Sequence, residues 1–398
     1  MSTKRRSRAR THPTVDRAPR TGAARSDNPA PTGGIAALME SAAQEILVVT
    51  HWFDPATHSG PYPVTVRFSG RRLDMEGRPQ SGDRFTHDET IDEVIPGSGP
   101  ISVTARIRNI NPGEWDVTAQ SLESRRSGGR RREPGSDAPT AGSLQPVARI
   151  WRRWAPPVDS ATATRTCLAP FARVPGVLPG VWAVLVVLGM VFALAIQALV
   201  ISRDHLAVGP TWTVSLIAIA VGIASAKAWF YILHRRDHRM EGWCIQGFMV
   251  GASVAAAVVL LTLGVPAGAF LDATAPGLLI GLALGRVGCF FAGCCGGPLT
   301  ASRWGIWSSD QRVGARRVPT QLLESLFALI VGLVALRAVL DHGPARGAFF
   351  VAALAAYTLG RQGILRLRLE PRRTTIGGPV IAVLAALALL GSVVVIVR

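Results

Sequence analysis

Residues 285–297 read GRVGCFFAGCCGG, and they lie where the hydropathy of the chain predicts membrane. The stretch combines small and apolar residues with one arginine and three cysteines. A charged side chain inside a span costs about 2.5–3.5 kcal/mol on insertion scales, so such residues point to function. The stretch therefore predicts both a membrane span and a candidate site.

Apolar runs of similar length recur throughout the chain after about residue 175. Most reach or approach the roughly 20 residues that are needed to cross a bilayer. They occupy roughly 178–202, 211–233, 246–265, 273–292, 320–341, 345–363 and 375–396. Few amphipathic helices are present to cover such runs in a soluble core. We therefore predict an all-α membrane domain of seven transmembrane helices at 176–398.

The front half of the chain has a different composition. Residues 1–35 are basic and carry almost nothing to bury, which predicts a disordered tail. Alternating and β-branched runs separated by Gly, Pro, Asn and Asp predict a small all-β domain at 40–122, an immunoglobulin- or fibronectin-like β-sandwich. Residues 123–175 form an Arg/Pro/Gly-rich linker, and its ARIWRRWAPP stretch is typical of a segment at the membrane interface.

The net charge of +17 comes almost entirely from arginine. For a multi-pass protein this charge favours the anionic head groups of membrane lipids as partners, and no nucleic acid. No cofactor is expected, and the first residues show no signal peptide. Arginines are more frequent in the loops after the second, fourth and sixth spans, which predicts a cytoplasmic amino terminus.

Five ionisable residues fall within or at the ends of the predicted spans: Lys227, Asp272, Arg286, Glu324 and Arg361. Arginines at span ends also reach to the interface without any further role. Five such residues in one small bundle favour a polar cavity.

Arg286 is the candidate ligand for phosphate. Gly285 and Gly288 flank it, and Gly297 follows nearby. Glycines let a ligand approach the backbone closely, and a guanidinium can hold a phosphate by paired hydrogen bonds. We therefore expect an anion site at this stretch.

Two further pairs lie at helical spacing. Gln321 and Glu324 share one face at i, i+3, and Tyr357 and Arg361 lie one turn apart at i, i+4. Both pairs are candidates for the wall of the same cavity.

Three interpretations remain open for Cys289, Cys294 and Cys295. They are small packing residues, or reactive thiols beside Arg286, or metal ligands. The spacing C-x4-C-C without a nearby histidine is poor for tetrahedral zinc, so no metal is expected.

With these motifs in place, residues from about 178 to 396 resemble the prolipoprotein diacylglyceryl transferase family of bacterial membrane enzymes. GRVGCFFAGC follows the frame of the family signature Gly-Arg-x-Gly-Asn-Phe-x-Asn-Gly-Glu, and VPTQLLE stands where the family has His-Pro-Ser-Gln-Leu-Tyr-Glu. Tyr357 and Arg361 match a later Tyr-x-x-x-Arg pair. CIQGFMVG and LDATAP match two upstream motifs in order.

The resemblance implies transfer of a diacylglyceryl group from phosphatidylglycerol to the lipobox cysteine of a prolipoprotein, in the bacterial plasma membrane. It implies an amino terminus facing outward, opposite to the charge distribution. It implies Arg286, Arg361, Tyr357 and Gln246 as catalytic positions. The positions expected to contact lipid or phosphate are Arg286, Gly285, Gly288, Gly297, Lys227, Gln321 and Glu324.

Several family side chains are replaced here. Gln246 stands for a histidine, Cys289 and Ala292 for two asparagines, and Cys294 and Leu365 for two glutamates. Leu323 replaces a tyrosine. Two alternatives therefore stand beside the transferase: a non-catalytic anionic-lipid-binding or scaffold protein, and a membrane thiol or metal protein that uses the cysteines.

Overall fold

The structure is a computed structural model, and it describes residues 45–74, 78, 80–122, 146–158, 162–204, 207–233, 243–368 and 377–398. The predicted disordered tail lies outside these residues, as do residues 123–145 of the predicted linker. The described chain forms a β-rich region and a helical region.

Within the described residues, seven helices are long and apolar enough to cross a membrane, as predicted. They follow a short helix α1 (Pro146–Trp154) and are α2 (Val181–Arg203), α3 (Val208–Leu233), α4 (Ile245–Leu263), α5 (Ala267–Ala292), α6 (Thr320–His342), α7 (Ala348–Ile364) and α8 (Gly377–Val397). The apolar runs of the sequence account for all seven, because each run is uniform rather than amphipathic.

The helices present leucine and valine outward. On α8, for example, Leu384, Leu387 and Leu390 are each more than 60% exposed. Such a surface is stable in lipid and unstable in water. Inside the bundle, Gly189 of α2 and Gly281 of α5 let the two backbones touch, because a Cβ on either glycine would lie 2.7 Å from the other's carbonyl oxygen.

The β-rich region contains two antiparallel sheets. Its strands are β1 (Glu45–Phe53), β2 (Tyr62–Arg72), β3 (Arg84–Val94), β4 (Ile101–Ile107), β5 (Glu114–Leu122), β6 (Thr162–Arg165), β7 (Cys167–Leu168), β8 (Ile306–Ser309) and β9 (Val313–Arg317). The first sheet has the order β7-β1-β4-β9-β8, and the second has the order β3-β2-β5-β6.

The two sheets enclose one hydrophobic core. Leu47 and Val103 reach it from the first sheet, and Val66, Phe68 and Trp115 reach it from the second. Each of these side chains is at most 1% exposed. The alternation in the sequence predicted this face, since every second residue of a strand points to the same side.

The sheets use more of the chain than the predicted range 40–122. β6 and β7 come from the region that was predicted to be linker, and α1 lies there as well. The β8–β9 hairpin lies between the fourth and fifth spans, and Ser102 and Val103 of β4 pair with Gly314 and Val313 of β9. Composition had indicated a separate front domain, but one of its sheets includes a loop of the membrane domain.

Side chains reinforce the joint between the hairpin and the front strands. Trp307 stacks on Trp52 with ring centroids 5.5 Å apart, and its Nε1 donates to the Pro100 carbonyl at 2.9 Å. Arg312 forms an ion pair with Glu89 of β3. The β-rich region and the carboxyl end of α5 therefore lie on the same side of the helical bundle.

Candidate anion-binding site

Glu324 is the centre of the site. It is fully buried on α6, and its two carboxylate oxygens are held by cations from three segments. Its Oε1 lies 2.9 Å from Arg286 Nη2 and 2.8 Å from Arg361 Nε, and its Oε2 lies 2.6 Å from Arg368 Nη2. The Tyr357 hydroxyl also donates to Oε1, at 2.7 Å. One carboxylate thus orients three guanidinium groups.

This arrangement leaves two positive charges in excess and unused donors. Arg286 Nε and Arg368 Nε are buried without a hydrogen-bond partner among the described residues. Each guanidinium has five N–H donors, and Glu324 uses only a few of the fifteen. Because Arg286 and Arg368 have side chains only 14% and 8% exposed, these charges are largely removed from water. The cluster is therefore suited to an anion such as a phosphate.

The stretch 293–297 is attached to the amino end of α6. Gln321 donates through Nε2 to the Cys294 carbonyl at 2.8 Å, and Thr320 donates through Oγ1 to the Cys295 carbonyl at 3.1 Å. Gln321 Oε1 is buried without a partner among the described residues. Gln321 and Glu324 therefore share one face, as their spacing predicted, but Gln321 fixes a loop while Glu324 holds the arginines.

Two glycines of the stretch, Gly288 and Gly297, allow neighbouring backbone segments to approach closely. A Cβ at Gly288 would lie 3.2 Å from Trp182 Cα on α2, and one at Gly297 would lie 2.4 Å from the Val318 carbonyl oxygen. At Gly285 the neighbour is Val186, at an ordinary 3.9 Å. Their predicted contact with lipid phosphate stays a prediction.

The expectation of one cavity for all five ionisable residues is wrong for Asp272. Its carboxylate accepts the N–H groups of Ala345, Gly347 and Phe350 at 2.8–3.0 Å, and so it fixes the loop that begins α7. Fourteen residues separate it from Arg286 on α5, which is about 21 Å along a helix. Asp272 is an anchor at the opposite end of the bundle.

Lys227 and Gln246 belong to the α3–α4 pair. Lys227 Nζ lies 5.3 Å from the centroid of the Trp243 ring, and the exposed Gln246 has its Oε1 3.7 Å from Cys244 Sγ. The partners of Glu324 come instead from α5, from α7 and from the segment just after α7. The roles predicted for Lys227 and Gln246 stay predictions.

Arg368 was missed from the sequence, where it counted only as a loop arginine. A 3-10 turn (Leu365–Leu367) follows α7 and returns Arg368 to the bundle. Its spacing of seven residues from Arg361, about two helical turns, is the signal that could have found it.

Arg317 was also missed. It is 2% exposed and donates to the Gly297 carbonyl at 3.3 Å, so it supports the loop.

The described residues contain no group of three or more His, Cys, Asp or Glu side chains arranged to hold a metal ion. The three cysteines of the stretch are free and half-buried. The role of these cysteines stays a prediction.

Seven helices that are long and apolar enough to cross a membrane define a multi-pass membrane protein, and its buried cluster of three arginines is a candidate site for an anion. Residues 176–398, more than half of the chain, match the family model described as prolipoprotein diacylglyceryl transferase. The chain belongs to this family, as its motifs predicted.

Curated relatives carry the name phosphatidylglycerol–prolipoprotein diacylglyceryl transferase. The chain is similar to one from Frankia alni, with 31% identity over 38% of this chain and 42% of that protein. It is similar to one from Dehalococcoides mccartyi, with 33% identity over 29% and 50% of the two chains. Another, from Clostridium perfringens, shares 31% over 33% and 52%. The chain thus spans about half the length of these relatives. No solved structure matches it.

Proposed function

We propose that this protein transfers the diacylglyceryl group of phosphatidylglycerol to the lipobox cysteine thiol of a prolipoprotein. The observation that carries the proposal is the buried Glu324, which orients Arg286, Arg361 and Arg368 around unused N–H donors. Transfer releases glycerol phosphate, and its leaving group gains negative charge as the ester bond breaks. Prearranged cations stabilise that charge without reorganisation.

The site residues have separate roles in this proposal. Arg286 and Arg368 hold the phosphate through their inward N–H groups, and Arg361 is the more exposed cation of the three. Tyr357 donates to Glu324 Oε1, the same oxygen that Arg286 and Arg361 contact, and in this proposal its hydroxyl contacts the head group that they bind.

The surroundings in this proposal are the bacterial plasma membrane, with phosphatidylglycerol as donor and a prolipoprotein as acceptor. The β-sandwich, immunoglobulin- or fibronectin-like in its two antiparallel sheets and shared core, serves as a docking module beside the site. Support for this placement comes from the hairpin, because Gln311 at its turn donates through Nε2 to the Ala292 carbonyl at the end of α5, at 2.9 Å.

The test is a reconstituted transfer assay. Full-length protein in vesicles receives phosphatidylglycerol labelled in its diacylglyceryl part and a peptide that carries a lipobox cysteine. We expect label on the peptide thiol, and we expect Arg286→Gln to reduce the rate at least a hundredfold, the scale for losing an oxyanion-type donor. Arg337→Gln is the matched control, because Arg337 is 80% exposed on α6 and pairs only locally with Asp341.

One observation favours the second candidate, a non-catalytic protein that binds anionic lipid. Gln246 replaces the family histidine and is exposed, and Glu324 is occupied by four donors, so neither is a ready proton acceptor. In the same assay this candidate retains phosphatidylglycerol in an Arg286-dependent manner but gives no labelled peptide. That result would replace the transferase proposal.

A further inference from the structure

The short helix α1 covers one face of the first sheet. Trp52 of β1 and Trp307 of β8 lie on the face that points away from the shared core, because they alternate with core residues along the sheet. Ala148 and Trp151 of α1 pack on this tryptophan pair, and Ala148 is fully buried. The helix is thus fixed to the sheet by one side, and its other side faces outward.

The face of the sheet that α1 covers is also the face that meets the helical bundle. A Cβ on Gly176 would lie 3.0 Å from the Trp307 ring, and two residues later the Leu178 N–H donates to the Phe291 carbonyl in the last turn of α5, at 2.8 Å. The segment that enters α2 therefore packs on the same tryptophan pair as α1. This contact places α1 on the side of the β-rich region where the first span begins.

The outward side of α1 carries arginine and large apolar side chains. Ile150 and Trp154 lie one turn apart, and both are exposed, Ile150 by 64%. Arg149 and Arg153 lie next to them at the same spacing. Apolar and basic side chains on one exposed face are typical of helices that lie in the plane of a membrane surface. The geometry therefore agrees with the interfacial character that the composition of this stretch predicted.

Tryptophans with a cation stacked on the ring mark the same end of the bundle at three places. The pairs are Arg173–Trp154, Lys227–Trp243 and Arg303–Trp304, with the cation 5.0–5.3 Å from the ring centroid. Trp304 is 75% exposed, and Phe171, beside the first pair in the sequence, is exposed as well. Tryptophan and arginine together favour the layer where lipid head groups meet acyl chains. One membrane surface accounts for all three segments.

The chemistry of this surface selects its occupant. The apolar side chains Ile150 and Trp154 need hydrocarbon, and the guanidinium groups beside them need anions. A layer of anionic lipid offers phosphates and hydrocarbon within one helix diameter, and the spans place that layer next to α1. A protein partner would have to supply both on a separate molecule.

We propose that α1 lies in the head-group layer of the membrane and binds anionic lipid. Ile150 and Trp154 reach the boundary between head groups and acyl chains, and Arg149 and Arg153 contact the phosphates beside them. The helix thereby holds the first sheet against the membrane next to the end of α5. This role needs only the membrane and is independent of the proposed transfer.

The test uses full-length protein in lipid nanodiscs that contain equal amounts of phosphatidylglycerol and phosphatidylcholine. Benzoylphenylalanine replaces Ile150, irradiation joins it to the molecule that lies against it, and mass spectrometry identifies the adduct. We expect lipid adducts at position 150. Among them we expect at least about threefold more phosphatidylglycerol than phosphatidylcholine, because arginines near a membrane surface attract anionic head groups.

Two matched positions serve as controls. Leu387, exposed on α8 within a span, should give lipid adducts with no preference for either head group. Leu73, exposed just after β2 on the second sheet, lies across the core from α1 and should give no lipid adducts. Arg149→Gln combined with Arg153→Gln should remove the preference for phosphatidylglycerol at position 150. Unchanged adducts at position 387 in that variant show that its spans are inserted.

Each other outcome overturns part of the proposal. Absence of lipid adducts at position 150, where position 387 gives them, would refute the placement of α1 at the membrane. Adducts to protein at position 150, within the chain or to a second copy, would show that a protein surface covers α1 instead. Lipid adducts without a preference for phosphatidylglycerol, or a preference that the double arginine variant keeps, would refute the binding of anionic lipid by these arginines.

Discussion

Replacement of Glu324 by glutamine tests whether this carboxylate holds the cluster together. Glu324→Gln keeps the shape of the side chain and removes the one negative charge that faces three guanidinium groups at 2.6–2.9 Å. A pair of unit charges 4 Å apart interacts by about 4 kcal/mol at an effective dielectric constant of 20, and loss of one partner of a buried pair costs about 3–5 kcal/mol. We expect a cost of about 3–5 kcal/mol for this substitution, because the three arginines that lose their partner already repel one another.

A loss of 3–5 kcal/mol corresponds to a decrease in Tm of roughly 6–20 °C for a domain of this size. Thermal unfolding in detergent measures it. Tyr357→Phe removes one hydrogen bond to the carboxylate and should cost about 1.5–3 kcal/mol. Arg337→Gln, at an exposed pair, should cost at most about 0.5 kcal/mol.

Although Glu324→Gln should lower stability, we do not expect it to lower the retention of phosphatidylglycerol. Glu324→Gln raises the excess charge of the cluster from two to three, so folded protein at low temperature should retain phosphatidylglycerol at least as well as the parent does. A variant that unfolds at the parent temperature would refute the idea that Glu324 organises the site. A stable variant that loses its lipid would instead make Glu324 itself a ligand contact.

Three further predictions use other residues. Arg286→Lys should lower phosphatidylglycerol retention on the purified protein about tenfold although the charge is kept, because an ammonium cannot make paired contacts to phosphate; equal retention would refute the phosphate role. Asp272→Asn should destabilise the bundle by about 1–3 kcal/mol in thermal unfolding without changing lipid retention, since it weakens three hydrogen bonds far from the cluster. Thr90, Arg303 and Asp341 are exposed and can each be replaced by cysteine. Cysteines at positions 90 and 303 should react with an impermeant maleimide on one side of a sealed vesicle, and a cysteine at position 341 should react on the other side. Labelling of all three from one side would contradict the arrangement of the spans.

The helical part of the fold could be predicted because its signal is local. Each span is a run of about 20 apolar residues, and lipid requires nothing else of the sequence to make it a helix. The pairs at helical spacing were predictable for the same reason. Tyr357 and Arg361 lie on one face of α7, and both contact Glu324.

The parts that could not be predicted depend on distant segments. β8 and β9 are four and five residues long, and nothing within such short strands indicates that β4, some 200 residues earlier, is their partner. From the sequence, Asp272 was predicted to be one of the ionisable residues around a polar cavity. Its actual role depends on three main-chain N–H groups of a loop more than 70 residues later.

The sheet in which β8 and β9 join β1 and β4 has a consequence for folding during synthesis. Val313 and Ala315 of the hairpin are part of the core that β1 and β4 also build. When the ribosome has completed β5, this core still lacks its side chains from β9, and it acquires them only after four spans have entered the membrane. The β-rich region therefore completes its core late in biosynthesis, through pairings of high sequence separation that form slowly. Until then its exposed strand edges need protection from aggregation. Expression of residues 45–122 alone should thus give a less stable domain than the same residues have in the full chain.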